Sequence, residues 1–539
     1  MEKQPVPDII RKILTARGFE SEEDIQTFLF SGISSLSDPF SIPDMKKACQ
    51  LLMAAAERGE KIFVYGDGDV DGICATFLIL SFLDTIGSEA SFYLTHRLEE
   101  NYEIEESFIS DLKKNGYTLL ITVDCGISSI GALRKAEEYG IKCIVLDHHP
   151  ADPGNLPGFH VYINPCMMGW DESVSNLCGA GISFKFTAGM EQLFPGFRDK
   201  KISDMIEIAC LATLADFVPL SGENRIFVKE GLKRLHFTSI RGLAAIMEYY
   251  NIKPPLYARD ITMKLNPKLN SPGRIGKPEI VLELLLEKDE ASIRKLIAEI
   301  DRIDRERYRQ IAKIMKEIEK SGEAETGFIV SGGNCRGYGG IIASRLAGKY
   351  KKPFMVCYEK DAKLRGSIRT PDGFYLTGIS AEMEEYMDEM GGHRNAMGFK
   401  CSSVHMEKLK KIWINARWET DVPMNWDCEL ELEELSPLLI KEILQYMEPF
   451  GKGNPAPLFL CREVCLKSIR SEEPAEKKLW AKKGNSFFEA YIEDSSAFTK
   501  TGGEKADICY TPYLREFSGL YRIFIKIADI INHSTGSAG

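Results

Sequence analysis

Four apolar runs in this chain each end on an acidic residue, and that recurrence limits the folds open to it. Lys61 to Tyr65 is a short β-rich run that breaks at Gly66-Asp67. Thr118 to Val123 stops at Asp124, and Cys143 to Leu146 stops at Asp147. A further apolar segment, Ile206 to Ala215, stops at Asp216. Helical patterns follow the first two runs, at Ile73 to Ile86 and around Ser128 to Tyr139. Val161 to Ile163 is another short run and stops at Asn164-Pro165. Short strands alternating with helices predict a parallel sheet with helices on its faces. Such sheets place ligands at the carboxyl ends of their strands, which is where these acids fall.

The densest acidic site is Asp67-Gly68-Asp69-Val70-Asp71-Gly72. Three carboxylates at alternate positions of a turn repel one another unless a cation neutralises them. An EF-hand loop opens the same way, but its twelfth position needs a bidentate Glu and here holds Leu78. The glycines do not have the GxGxxG spacing, and the acids would repel a pyrophosphate. Against a solvated acidic turn stand Asp124, Asp147-His148-His149 and Asp216, all at the ends of apolar runs. The chain has 8 His, and two of them are adjacent at this point. Carboxylates with imidazoles suit manganese or magnesium. Two metals sharing a carboxylate, about 3.5–4 Å apart, would clamp a phosphoryl group and lower the pKa of a bound water. No Ser-His-Asp elbow or Walker A sequence competes with that reading.

Farther along, Lys288 to Lys320 lacks Gly and Pro and is dense in charge. Ile293, Leu296, Ile300, Ile303, Ile311, Met315 and Ile318 recur at spacings of three, four or eight. This predicts one long amphipathic helix joining two domains. A second β/α region follows from Gly327 to Trp418, punctuated by Gly337 to Gly340 and Gly391-Gly392. From Trp426 the strand signals become short and close, which reads as a small β-barrel or sandwich. Trp480 sits there between Lys477-Lys478 and Lys482-Lys483. It suits either base stacking or core packing.

Lys+Arg total 68 and Asp+Glu 79, a net charge of −11. Nucleic acid would therefore have to be held by local cations or by metal. The 14 cysteines are scattered without a CxxC pair, which disfavours a disulfide framework or zinc ribbon and fits a reducing cytoplasm. No apolar run is long enough to span a membrane, and no signal-peptide core opens the sequence.

Together, Val64 to Gly72, Val123-Asp124-Cys125-Gly126, Leu146 to His149 and Ala215 to Pro219 resemble the motifs of the DHH phosphoesterase superfamily. Within it, the chain is similar to the single-strand-specific exonuclease branch. The shared signatures include Asn176 to Gly181, Gly222 to Arg225, Leu269 to Arg274, Gly340 to Leu346, Gly391-Gly392-His393 and Phe450 to Pro455. The resemblance spans roughly residues 45 to 530. It implies an α/β fold of two α/β domains joined by the long helix, plus a C-terminal OB-like β-barrel. The expected organisation is a helical segment at 1–45 and the DHH domain at 46–287. The linking helix follows at 288–321, then a DHH-associated domain at 322–423, an OB-fold at 424–532 and a disordered tail at 533–539.

The resemblance implies Asp67, Asp69, Asp124, His148 and Asp216 as metal ligands for Mn2+ or Mg2+ in a two-metal site, with Asp124 bridging. It implies Asp71, His149 and His393 as further catalytic residues, with Asp71, Asp147 and His149 on the substrate side or behind the ligands. Arg97, Asn270, Arg274, Ser344 and Arg345 would bind substrate. The implied activity is 5′→3′ hydrolysis of single-stranded DNA to 5′-mononucleotides in repair and recombination. The implied partners are a single-strand-binding protein and a RecQ-type helicase, with no membrane and a monomer as the default. Two rivals remain: a hydrolase of short oligonucleotides or cyclic dinucleotides, and a non-catalytic single-strand-binding relative. Three positions depart from the branch. Gly68 stands where Tyr is usual, Asn101-Tyr102-Glu103 where Gly-Tyr-Gly is common, and Arg336-Gly337 in place of a His-Pro-Gly approach.

Overall fold

The structure is a computed structural model of all 539 residues. It describes residues 4–96, 103–194, 204–331, 335–371, 374, 382–393, 395–416, 418, 425–468, 477–492, 505–517 and 519–531. The tail at 533–539 and Arg97 lie outside the described residues.

The first unit is a five-stranded sheet of β1 (Lys61–Gly66), β2 (Ala90–Leu94), β3 (Tyr117–Val123), β4 (Lys142–Leu146) and β5 (Val161–Ile163). Its order is β2-β1-β3-β4-β5, with every pairing parallel. A parallel sheet is covered on both faces, so its strands are apolar throughout rather than alternating with polar residues. Leu119, Ile121 and Val123 of β3 face the helices Met45–Glu57, Val70–Thr85, Gly179–Leu193 and Ile206–Ala215. Leu120, one step out of phase, faces the helices Glu106–Lys114 and Ile130–Glu138. Strand β2 was not apparent in the sequence, because Ala90–Leu94 is short and only its last residue is fully buried.

The long helix runs Glu290–Ser321, capped by the Asp289 side chain at its start and by Gly322 in the left-handed conformation at its end. Its first half, through Ile293, Ile297 and Ile300, belongs to the core of the first unit. Its second half, through Ile311, Ile314 and Ile318, belongs to the core of the next. The gap of eight between Ile303 and Ile311 is occupied on the buried face by Asp304 and Arg307.

The second unit holds β6 (Phe328–Ser331), β7 (Phe354–Lys360), β8 (Lys363–Arg369), β9 (Glu389–His393) and β10 (Ala396–Ser402) in the order β6-β7-β8-β10-β9. Only β6–β7 is parallel, so this sheet is mixed, unlike the first. Helices Gly339–Tyr350 and Met406–Asn415 pack on opposite faces.

The third unit contains β11 (Cys428–Glu429), β12 (Phe459–Ser468), β13 (Lys477–Lys483), β14 (Ser486–Ile492), β15 (Lys505–Phe517) and β16 (Leu520–Ile531). The order β12-β13-β14-β16-β15 closes on itself through β12–β15, giving a five-stranded barrel. Ile10, Ile13, Leu14, Ile25 and Leu29 of the first two helices, Asp8–Ala16 and Glu22–Phe30, join the barrel's core. The two ends of the chain thus share one core. Arg17 fixes that arrangement, bonding Asp427 (Nε–Oδ1, 2.7 Å) and Asn454 (Nη1–Oδ1, 2.7 Å).

Two of the signature motifs serve this assembly. Glu223 forms a buried pair with Lys185 (2.9 Å), and Asn224 donates to the carbonyls of Asn176 and Pro219. The Arg225 guanidinium is buried over the Phe28 ring at 3.8 Å and donates to the carbonyls of Phe28, Tyr446, Met447, Glu448 and Pro449. From the barrel side, Asn454 ties down the carbonyls of Met447 and Pro449. These residues dock the barrel on the first unit.

Candidate metal centre

The acidic cluster lies at the carboxyl ends of β1, β3 and β4. Asp67 follows β1, and its Oδ1 accepts the Thr95 hydroxyl at 2.5 Å and the Gly68 N–H at 2.6 Å. Asp69 caps the helix Val70–Thr85, accepting the N–H groups of Asp71 (2.9 Å) and Gly72 (3.2 Å). Asp71, just inside that helix, is fully buried. Its two oxygens accept the N–H groups of Gly179 (2.8 Å) and Ala180 (2.7 Å) at the start of the helix Gly179–Leu193. A helix start favours a carboxylate. A Cβ on Gly179 would meet the Asp124 Cβ at 2.5 Å, so this close approach requires glycine.

Asp124 follows β3 in the left-handed region, φ 59°, which Asp tolerates better than most residues. His148 Nε2 lies 3.1 Å from Asp124 Oδ1, 3.7 Å from Asp216 Oδ2 and 3.8 Å from Asp71 Oδ2. Asp216 is the residue that caps the end of the helix Ile206–Ala215. The apolar run before it is therefore a buried helix, not a strand like the other three.

Three groups of ligand atoms converge, each within 4.8 Å of one another: Asp67, Asp69 and Asp124; Asp71, His148 and Asp216; Asp124, His148 and His149. Asp124 belongs to two of them.

Burial pushes the Asp124 carboxyl well above its usual range, and the charges of Asp71, Asp69, Asp67 and Asp216 push the same way. Asp71 is raised chiefly by burial, against the pull of His148. Burial also lowers His148, favouring the neutral ring that ligates metal. Behind this front, Asp147 accepts His149 Nδ1 at 2.8 Å and the N–H groups of His148, His149 and Ile127. Burial works against a charged His149, but the bond to Asp147 and its charge outweigh it and raise the ring to about 9. The nearby thiols of Cys74, Cys125 and Cys178 are pushed up by burial and by adjacent acids, so they are poor ligands.

The fit to a divalent cation rests on two atoms. Asp124 Oδ1 and His148 Nε2 are both buried and make no hydrogen bond. A buried polar atom without a partner costs about 1–3 kcal/mol, and a cation bound between them removes that cost.

The residues expected on the substrate side divide. Asn270 Oδ1 accepts the Val70 N–H at 3.2 Å, which holds the Asp67–Gly72 loop. Arg274 Nη1 reaches the carbonyl of Gly337 at 3.3 Å, spanning the first and second units. Ser344 and Arg345 are exposed on the helix Gly339–Tyr350, and the Arg345 guanidinium lies 5.6 Å from the Tyr308 ring centre. The backbone of His393 ends β9, opposite Ala396, and its side chain lies outside the described residues. Trp480 is 41% exposed and pairs edge-on with Phe487, so it is not a core residue.

The sequence reading missed Thr95 as the partner of Asp67, and the Gly179 and Ala180 N–H groups as the support of Asp71. It also left the departure at Gly68 unexplained. A Cβ there would sit 2.1 Å from the carbonyl oxygen of Thr95, so the residue after β2 leaves no room for a side chain at this position.

An all-parallel sheet whose acidic ends converge on the buried Asp124 and His148, joined by a long helix to a mixed-sheet unit and followed by a closed barrel, defines a DHH-type protein with an OB-fold. Residues 61–213 match the DHH family, N-terminal domain, and residues 426–529 match the RecJ OB domain. Over these two stretches the chain resembles the RecJ family. It is 29% identical over 483 residues to the single-stranded-DNA-specific exonuclease RecJ of Bacillus subtilis, covering 87% of this chain and 60% of that protein. It is 26% identical to the RecJ of Salmonella typhimurium, covering 97% of this chain and 96% of that one. Its fold is like that of Thermus thermophilus RecJ in complex with Mn2+, with a TM-score of 0.79 at 22% identity over 98% of this chain and 79% of that one. A second solved structure, an exonuclease RecJ bound to manganese, superimposes with a TM-score of 0.58 at 27% identity, covering 69% of this chain and 94% of that one.

Proposed function

We propose that this chain is a metal-dependent, single-strand-specific 5′→3′ exodeoxyribonuclease that releases 5′-mononucleotides and acts in DNA repair and recombination. The observation that carries the reading is the pair of buried, unpartnered atoms, Asp124 Oδ1 and His148 Nε2, inside a set of carboxylates that crowd one another. The relatives named for single-strand exonuclease activity supply the substrate class. Asp67, Asp69, Asp124, His148 and Asp216 would hold Mn2+ or Mg2+, with Asp124 shared. Bound divalent metal supplies Lewis acidity toward the phosphate and lowers the pKa of water.

The remaining work falls to the chain itself. Gly179 and Ala180 hold Asp71 in place, so Asp71 positions the ligands rather than meeting substrate. Asp147 orients the His149 ring through Nδ1 and favours its protonated form. Asn270 keeps the Asp67–Gly72 loop in register. Arg274 and Arg345 would take phosphates of the strand, the guanidinium fork being matched to them. Arg97 and Ser344 would assist, and His393 would approach the scissile phosphate from the second unit. The barrel offers exposed Trp480 and Phe487 beside lysines, a surface that suits stacked bases and backbone phosphates.

The segments read as 1–45, 46–287, 288–321, 322–423, 424–532 and 533–539 serve as the working division. Among the described residues no helix is long and apolar enough to cross a membrane, and we place the protein in the cytoplasm as a monomer. A single-strand-binding protein and a RecQ-type helicase are its expected partners.

The test is a long single strand labelled at either end, digested with Mn2+ by wild type and by Asp69→Ala. Immediate release of 5′-label as mononucleotide, lost in the variant and absent on duplex, is the expected result. Hydrolysis of dinucleotides without attack on long strands would move the reading to a short-substrate hydrolase.

A further inference from the structure

The segment from Asp216 to Leu220 begins at the acidic cluster and ends against the barrel. At one end, Asp216 Oδ2 stands 3.7 Å from His148 Nε2. At the other, the Leu220 N–H donates to the carbonyl of Lys452 at 2.7 Å, and a Cβ on Gly451 would strike the Leu220 side chain. This short run is therefore a direct surface connection between the cluster and the barrel. Phe217 lies on it, next to Asp216.

Phe217 is an unsuitable residue for its place by every criterion of folding. Its φ is 55°, in the left-handed region. Bulky side chains are genuine outliers there, and Gly or Asn would relieve the strain. The usual compensation is burial, yet the ring is 60% exposed. Its neighbours behave differently: Ala215 and Val218 pack against the core, and Leu220 is buried. Neither backbone preference nor packing accounts for a phenylalanine. Residues held in strained conformations cluster at functional sites, and Asp124 in this same cluster is a second one, at φ 59°.

Consecutive Cα atoms are about 3.8 Å apart, so the Phe217 ring is rooted one residue from a proposed metal ligand. The flat apolar groups nearest to a phosphate held at that ligand are the nucleobases on either side of it. We propose that Phe217 is a stacking platform for one nucleobase flanking the scissile phosphate, which makes it a substrate-positioning residue on the path from barrel to cluster. The inference rests on the nuclease reading above. Stacking tolerates any base, because each has a π-face. Phe217 would thus set where the strand stops in the site without selecting a sequence.

The test compares wild type, Phe217→Ala and Phe217→Trp on three single strands: one intact, one abasic at the first nucleotide and one abasic at the second. On the intact strand, Phe217→Ala should raise KM about tenfold, with a smaller change in kcat, and Phe217→Trp should stay near wild type. On one of the abasic strands the difference between wild type and Phe217→Ala should vanish, because the stacked base is already missing. Phe217→Ala should melt no lower than wild type, since the ring contributes little burial. An unchanged KM on the intact strand overturns the proposal. So does a deficit of the same size on all three strands, which would mark a structural role. Failure of wild type to cut the intact strand overturns the nuclease reading and this inference with it.

Discussion

Two buried carboxylates of this molecule have opposite surroundings. Asp304, on the long helix, is 1% exposed and fully partnered. It receives the Lys268 ammonium, the Ser271 hydroxyl at 2.9 Å and the Arg307 guanidinium at 2.5 Å. Asp124, at the end of β3, is 2% exposed. It faces Asp67, Asp69, Asp71 and Asp216, and its Oδ1 makes no hydrogen bond. Burying an ion costs several kcal/mol unless neighbours compensate. Asp304 has its compensation within the chain, whereas Asp124 faces four acids against one His148 nitrogen at 3.1 Å, a setting that a cation would complete. Burial alone therefore does not distinguish a structural charge from a functional one, and the identity of the partners does.

That contrast is open to direct attack. The largest effect should come from Asp124→Asn, with activity falling on the order of 10³-fold in a strand-digestion assay. The metal-free variant should unfold no more easily than wild type, because a repelling charge has gone. A variant that loses stability in step with activity would erase the distinction. Asp304→Ala should do the reverse. It leaves Arg307 buried without its partner and should cost about 3–5 kcal/mol in urea unfolding, while the folded fraction still binds Mn2+.

How far the sequence carried the reading follows from the same comparison. The acids at Asp67, Asp124 and Asp147 were legible because each ends a local apolar run, and Asp69 because it alternates with Asp67 and Asp71 in one turn; both are local signals. Asp216 was legible as a run end, but the run proved to be a helix, since apolar segments that are buried all round lose the period that separates the two. Asp304 and Arg307 showed only as a gap of eight in the stripe of the long helix; Lys268, the partner of Asp304, lies 36 residues away from it. The contacts between chain ends were not legible at all. Arg17 and Asp427 are separated by 410 positions, and nothing in either local pattern announces the other. The motifs Gly222 to Arg225 and Phe450 to Pro455 carried the resemblance, yet their work in this fold is docking rather than chemistry.

A third region sharpens the comparison from the side of structure. Arg225 is a buried cation compensated by carbonyl dipoles and one ring rather than by a bonded acid. Arg225→Ala should cost about 2–3 kcal/mol and should release the barrel first, seen as an early, separate melting step.

The smallest effect should lie with Glu448. Burial raises its carboxyl to about 7, against the opposing charge of Arg225 and the Phe450 N–H at 2.9 Å. Because the folded value lies above the unfolded one, its contribution is full below about pH 4.5 and fades as pH rises through 7. Glu448→Gln should flatten that part of the stability–pH curve and raise the melting temperature at pH 8. An unchanged slope would show that Glu448 is already ionised at lower pH.

The central claim is that the acidic cluster is completed by metal, and isothermal titration of the chain with Mn2+ tests it most directly. Wild type should bind Mn2+, Asp304→Asn should bind it comparably, and Asp124→Asn should lose at least about tenfold in affinity. Equal binding by wild type and Asp124→Asn, or no binding by wild type, would contradict the account.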